Sequence, residues 1–251
     1  MSIGSLVRRC GNGLYKSAFP IYRPLYHAFK SYADRSERDF LARHLSAGCI
    51  VVDAGANIGA YSQFLSQCVG ESGIVHSFEP DPTNFARLRD SLAKFSNVRV
   101  NQLAVSDQTG EAALYVSKSL NVDHRTYPTE GESRKEIAVW STTLDDYFKA
   151  GERVDLIKMD IQGFELHALR GAARVLDDNL DIKLLLEFWP FGLKQAGASA
   201  EAFLSFLHDR DFSLFIHGKN GLVGCDCPLS SPSDALSYVN LFAQRAAAKA
   251  V

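Results

Sequence analysis

From residue 35 onward the chain alternates between two hydrophobic rhythms. RSERDFLARHLS (35–46) places Phe40, Leu41 and Leu45 on one helical face and stops before Gly48. CIVVDAG (49–55) is then an unbroken apolar run, as expected of a parallel strand covered on both faces. Ile58, Tyr61, Phe64, Leu65 and Val69 return to helical spacing, and GIVHSFE (73–79) reads as a second strand. A helix over 82–95 and a strand VRVNQLAV (98–105) follow. EAALYV (111–116) and EIAVWS (136–141) alternate with period two and predict an antiparallel pair around a long polar loop, 117–134. Loops of that length inside compact domains usually serve function. Strand VDLIKMDI (154–161), helix 164–176, strand IKLLLEF (182–188) and helix 199–209 resume the alternation, and FSLFIHG (212–218) and YVNLFAQ (238–244) close the sheet. Repeated β–α units with Val/Ile/Leu-rich strands predict an α/β fold, a doubly wound and mainly parallel sheet with helices on both faces.

Residues 1–33 depart from this rhythm. They carry Arg8, Arg9, Lys16, Arg23 and Lys30 and no acid, interleaved with Tyr15, Phe19, Tyr22, Tyr26, Phe29 and Tyr32. Pro20 and Pro24 predict a stretch broken into short pieces. Residues 1–34 are expected to form an arm on a domain spanning 35–251, packed against that domain or a partner subunit. The alternative is an amphipathic patch that touches a membrane surface or an anionic, lipid-linked substrate. Homo-oligomerisation is left open.

Composition narrows the field. A hydrophobic fraction of 46% excludes a disordered chain, and a net charge of -2 argues against a nucleic-acid binder. No apolar run approaches the roughly 18 residues of a membrane-spanning helix, and the first residues lack the apolar core of a secretory signal. Five cysteines, an odd number without CxxC spacing, suit a reducing cytoplasm rather than a disulfide or zinc framework.

In a doubly wound sheet, ligands bind beyond the carboxyl ends of the strands, so the residues there are the candidates for chemistry. Asp53-x-Gly55-x-Asn57-x-Gly59 differs from a dinucleotide GxGxxG loop, because an acid precedes the first glycine and Asn57 replaces the second. Such a loop suits a cationic or zwitterionic ligand better than a pyrophosphate. Glu79, ending the second strand, can accept from both hydroxyls of a ribose, an arrangement shared by NAD and S-adenosylmethionine sites. Asp107 is placed to bond an adenine amino group. Asp160 can orient an acceptor, act as a base or bind a divalent metal. His124, in the long loop, offers a base titrating near neutrality, and Arg125 suits an anionic or sugar acceptor. Glu187 can hold the acceptor or a metal. Strand alternation sets Lys158 on the face of Asp160, which predicts a salt bridge between them. Asp160, Glu165 and Glu187 are hard oxygen ligands of the kind magnesium prefers, but their spacing is not diagnostic and the metal stays open.

VVDAGANIGAYS, SFEPDPTNFARLR, LAVSDQTGEAALYV, STTLDDYF and VDLIKMDIQGFELHALRGA occur in this order over about residues 49–188. Together they resemble the FkbM family of S-adenosylmethionine-dependent methyltransferases. The resemblance implies a class I, Rossmann-like sheet of seven strands with an antiparallel C-terminal pair. It implies that Asp53, Gly55, Asn57 and Glu79 hold S-adenosylmethionine, with Asp107 near the adenine. The implied activity is O-methylation of a sugar or natural product. Gln162 stands where the family usually has a glutamate. The readings set against this one are a non-catalytic scaffold that kept the fold and a nicotinamide-dependent oxidoreductase.

Overall fold

The structure, a computed structural model, describes residues 13–117, 123–128, 134–218, 221–225 and 237–245. Arg8, Arg9 and most of the expected loop (118–122 and 129–133) lie outside the described residues. Residues 13–17 belong to a helix, α1. It is followed by α2 (Phe19–Ala33), α3 (Arg35–His44), β1 (Ile50–Ala54), α4 (Ala60–Val69), β2 (Ile74–Phe78), α5 (Pro82–Leu92) and β3 (Val98–Asn101). Next come β4 (Ala104–Val105), β5 (Gly110–Val116), β6 (Lys135–Thr142), α6 (Leu144–Tyr147), β7 (Leu156–Met159), α7 (Glu165–Arg170), α8 (Ala173–Asp178) and β8 (Lys183–Phe188). The chain closes through α9 (Pro190–Gln195), α10 (Ala200–His208), β9 (Phe212–Gly218), β10 (Gly221–Gly224) and β11 (Val239–Arg245).

The main sheet runs β10-β9-β11-β8-β7-β1-β2-β3. Its pairs from β3 to β8 are parallel, and β11 is antiparallel to both β8 and β9. This is the expected doubly wound sheet, widened by β10, which folds back on β9 as an eighth strand. Alternation divides the core. Val51 and Leu185 turn toward Phe40, Leu41, Leu65 and Val69 of α3 and α4. Val52, Leu184 and Leu186 turn toward Leu166, Leu169, Leu176, Phe203 and Leu207 of α7, α8 and α10. Each such side chain contributes about 1.5–3 kcal/mol by leaving water, so both faces hold the strand ends in fixed register.

Two expectations need correction. The strand expected over 98–105 is two strands. β3 pairs with β2, whereas β4 leaves the main sheet and pairs with β6, beside β5, in a second, three-stranded sheet. An apolar pattern carries no information about which ladder a strand joins. The prolines do not break the arm either. α2 is continuous, with Pro20 in its first turn, where no helical N–H is lost, and Pro24 inside it. An interior proline costs about 3 kcal/mol, and aromatic packing offsets it. Tyr15 and Tyr22 are buried with Ile58, the Tyr22 and Tyr26 rings stack at 5.4 Å, and Arg87 of α5 lies 3.6 Å from the Tyr15 ring centre. The Tyr15 hydroxyl also donates to Asn84 of α5.

Candidate active site

β1 lies between β2 and β7, where the strand order reverses, and a cleft of about 880 Å³, its open mouth included, begins at that point. Gly55, Ala56 and Asn57 form one wall, Glu79 and Pro80 a second, and Phe78, Leu103, Ala104, Val105 and Leu114 an apolar third. Asp160, Ile161 and Gln162 enter after β7, and Tyr26 and Lys30 reach in from α2.

The loop after β1 is shaped by backbone conformation. Gly55 has φ +77, and a Cβ there would sit 2.0 Å from the Asp160 carbonyl oxygen. Only glycine lets the β1 and β7 ends close to this distance. Asn57 is also left-handed, at φ 51, and its N–H donates to Glu79 Oε2 at 2.9 Å. Glu79 Oε1 accepts from the Asp81 N–H at 3.0 Å. Burial of Glu79 outweighs these donors and lifts its pKa from 4.5 to about 7.

Asp53 does not line the cleft. It is fully buried, paired with Lys158 Nζ at 3.0 Å, and its Oδ2 accepts from Ser62 Oγ at 2.7 Å. The expected Lys158–Asp160 salt bridge is therefore replaced by Lys158–Asp53. The two are register partners on adjacent parallel strands, while Asp160 lies past the end of β7. Lys158 does face the cleft, so Asp53 acts on it through this lysine.

A second cavity of about 420 Å³ adjoins the first, lined by Lys30, Asp34, Tyr61, Lys158, Asp160, Glu187, Tyr238 and Asn240. Asp160 and Lys30 border both cavities. Lys30 pairs with Asp34 at 2.6 Å. Gln162 Nε2 donates to Asp160 Oδ1 at 3.1 Å and to Glu187 Oε2 at 3.4 Å. Burial, then the charges of Asp160 and Glu165, raise the Glu187 pKa well above the usual carboxylate range. Glu165, also fully buried, accepts from the Ile161 N–H at 2.9 Å and so fastens the turn after β7; burial lifts its pKa to about 8. These residues do not fit a metal. Gln162 turns N–H groups toward Asp160 and Glu187, and Glu165 is committed to the backbone. Among the described residues no group of three or more His, Cys, Asp or Glu side chains is arranged to hold one.

The remaining candidates lie around the rim. His124 lines the larger cavity only, and its Nδ1 accepts from the Ser117 N–H at 3.2 Å. Burial lowers its pKa, against the opposing charges of Asp81 and Asp123. A hydrogen bond to the Asp123 backbone also opposes the lowering, so both the backbone of the loop and burial fix the state of this ring. Arg125 is buried, paired with Asp123 at 2.9 Å, and its guanidinium lies 5.1 Å from the Trp189 ring. It anchors the loop rather than facing either cavity. Asp107 is likewise outside the lining; its Oδ2 meets His167 Nδ1 at 2.8 Å. Burial opposes its ionisation, but the His167 contact prevails and holds its pKa low. Tyr26, Lys30, Tyr61, Tyr238 and Asn240 were not singled out from sequence. The i, i+4 spacing of Tyr22, Tyr26 and Lys30 was the available signal, hidden by reading Pro24 as a break.

Residues 53–214, well over half the chain, match the Methyltransferase FkbM domain. The chain is 28% identical over 144 residues to the 2-O-methyltransferase NoeI of Sinorhizobium fredii, covering 51% of this chain and 58% of that protein. It is 43% identical over 95 residues to the 31-O-demethyl-FK506 methyltransferase FkbM of Streptomyces tacrolimicus, covering 37% of this chain and 35% of that one. The chain thus spans only part of the length of these curated relatives. Among solved structures, SMU.1697c of Streptococcus mutans, in complex with SAH, superposes with a TM-score of 0.50 at 14% identity, over 84% of this chain and 96% of that one. An rRNA methylase of Streptococcus thermophilus superposes equally, at 0.50 and 14%, over 83% and 93%. At that identity the likeness concerns the fold alone.

Proposed function

The chain belongs to the FkbM methyltransferase family, and from that membership we propose that it is an S-adenosylmethionine-dependent O-methyltransferase acting on a hydroxyl of a sugar or small natural product. The observation that carries this reading is the pair of adjoining cavities sharing Asp160 at the switch point of the sheet. One has the features of a nucleoside site, with an apolar wall and a carboxylate at the end of β2, and the other is polar and charged. The relatives named for methylation at 2-O and 31-O positions support oxygen as the accepting atom.

S-adenosylmethionine, when bound, supplies a methyl group on a sulfonium, whose thioether leaving group needs no acid. Each Glu79 oxygen accepts one backbone N–H and the Asn84 side chain donates to the same carboxylate, which leaves acceptor capacity for a ribose hydroxyl. Leu103, Val105 and Leu114 shelter the adenine. Tyr26 and Tyr61, whose pKa values burial raises, stay neutral; Lys158, Arg38 and Lys30 already lie 5.1, 5.4 and 5.7 Å from the Tyr61 ring centre, so Tyr26 is the ring that presents aromatic surface to a cation. Asp160, on the wall common to both cavities, orients the acceptor hydroxyl and takes its proton. Placement favours it over His124, which borders one cavity and whose Nδ1 is occupied. Lys30 and Glu187 face the acceptor.

Calorimetric titration with S-adenosylmethionine and S-adenosylhomocysteine, with and without Mg²⁺, tests the reading. Micromolar binding of both, unchanged by magnesium, is expected. Absence of binding by either would remove the methyltransferase assignment.

A further inference from the structure

α2 is apolar on two sides. Tyr22 and Tyr26 pack inward, and Lys30 reaches the cleft. On the outer side, Ile21, Leu25, Phe29 and Tyr32 are 58%, 58%, 63% and 73% exposed, and Ala28 is exposed among them. These positions follow helical spacing, so they form one stripe that nothing covers among the described residues. Scattered exposed leucines are ordinary, but a continuous stripe on one helix marks an interaction surface.

Charge selects the partner. Residues 1–33 hold five lysines and arginines and no acid. Arg23 is exposed on the flank of α2, and the Arg35 guanidinium lies 5.2 Å from the Tyr32 ring centre at the end of the stripe. Of the acids that follow, Asp34 pairs with Lys30 and Glu37 accepts from Asn240 at 2.9 Å, while Asp39 is exposed on α3. A second copy seated on the same face would bring two such positive segments together. A single convex helix also offers no groove for a peptide.

We propose that α2 is a membrane-docking helix, which lies along an anionic lipid surface with Ile21, Leu25, Phe29 and Tyr32 in the headgroup–acyl boundary and the basic side chains against the headgroups. The proposal does not depend on the reaction.

Co-sedimentation of the full chain with vesicles tests it. Binding is expected to vesicles containing phosphatidylserine, to be weak on phosphatidylcholine alone, and to decline with added salt. Leu25→Asp with Phe29→Asp should weaken vesicle binding by at least about 10-fold while leaving S-adenosylhomocysteine affinity unchanged. Arg23→Glu, which alters no packed side chain, should weaken it by about 10-fold and leave the melting temperature unchanged. Failure to bind phosphatidylserine vesicles at low salt, or full binding by both variants, would overturn the proposal. A wild-type dimer that Leu25→Asp with Phe29→Asp converts to monomer would overturn it too, and name a second copy as the occupant.

Discussion

The two adjoining cavities are built in different ways. The larger one owes its shape to backbone. Gly55 and Asn57 adopt positive φ, and Glu79 is fixed by two N–H groups. Those features must sit at set spacings on two consecutive strand–loop–helix units, so they read as a motif. The smaller cavity owes its character to side chains drawn from Lys30, Asp34, Asp160, Glu187, Tyr238 and Asn240, across most of the chain. No one of them is unusual alone. A backbone-built pocket leaves a signature in the sequence, whereas a pocket assembled by tertiary contacts does not. The first is the kind that a family shares, and the second is where acceptors can differ.

The largest expected effect follows from treating Asp160 as the joint between the two. Asp160→Asn keeps the shape and the contact with Gln162 but removes the proton acceptor. Turnover should fall by about 10²–10⁴-fold, with S-adenosylhomocysteine affinity changed by less than about 3-fold. A loss of affinity as large as the loss of turnover would place Asp160 on the cofactor side and erase the division. A smaller and opposite pattern is expected at the other end. Glu79→Ala forfeits hydrogen bonds to a charged group worth about 1.5–3 kcal/mol, so affinity for the cofactor should fall by about 10- to 100-fold. Unchanged affinity in calorimetry would detach Glu79 from the ribose.

The same distinction governs how much could be read in advance. The parallel strands announced themselves because Val51–Ala54, Leu156–Met159 and Leu184–Leu186 are buried on both faces and apolar except at Asp53 and Lys158. Asp53, Gly55, Asn57, Glu79 and Asp160 were found because strand ends in such a sheet converge. Their bonding was not legible. Counting along one strand pairs Lys158 with Asp160, whereas the governing neighbour, Asp53, comes from the strand alongside. The role of Asp107 is obscured by the same gap, since His167, which holds it, is remote in sequence, whereas Arg125 is held by its near neighbour Asp123 as well as by the distant Trp189. α2 was missed because a proline penalty is a local quantity and the aromatic packing that offsets it is not.

The smallest effect is a thermal one, and it separates Glu79, on the larger cavity, from the buried carboxyls around the turn after β7 by pH. Glu79 has a folded pKa of about 7, Glu165 of about 8, and Glu187 is also raised. A carboxyl whose folded pKa exceeds its unfolded value of 4.5 stabilises the fold fully below that value and loses the contribution as pH rises through the folded pKa. His27, His76 and His124, all lowered from 6.5, act the other way, but below that pH. Asp107, Asp146 and Asp178, lowered from 3.8, matter only in stronger acid. Between about pH 6.5 and 8 the buried glutamates therefore dominate, Glu79 only up to about pH 7, and each contributes at most about 1.4 kcal/mol per pH unit below its folded pKa. The melting temperature of the ligand-free protein should fall by a few degrees across that window. Glu79→Gln should remove the part of the fall that ends at about pH 7 and leave the part that continues to about pH 8, which belongs to Glu165 in the turn after β7. A curve that Glu79→Gln leaves unaltered would mean that Glu165 and Glu187 carry the whole slope.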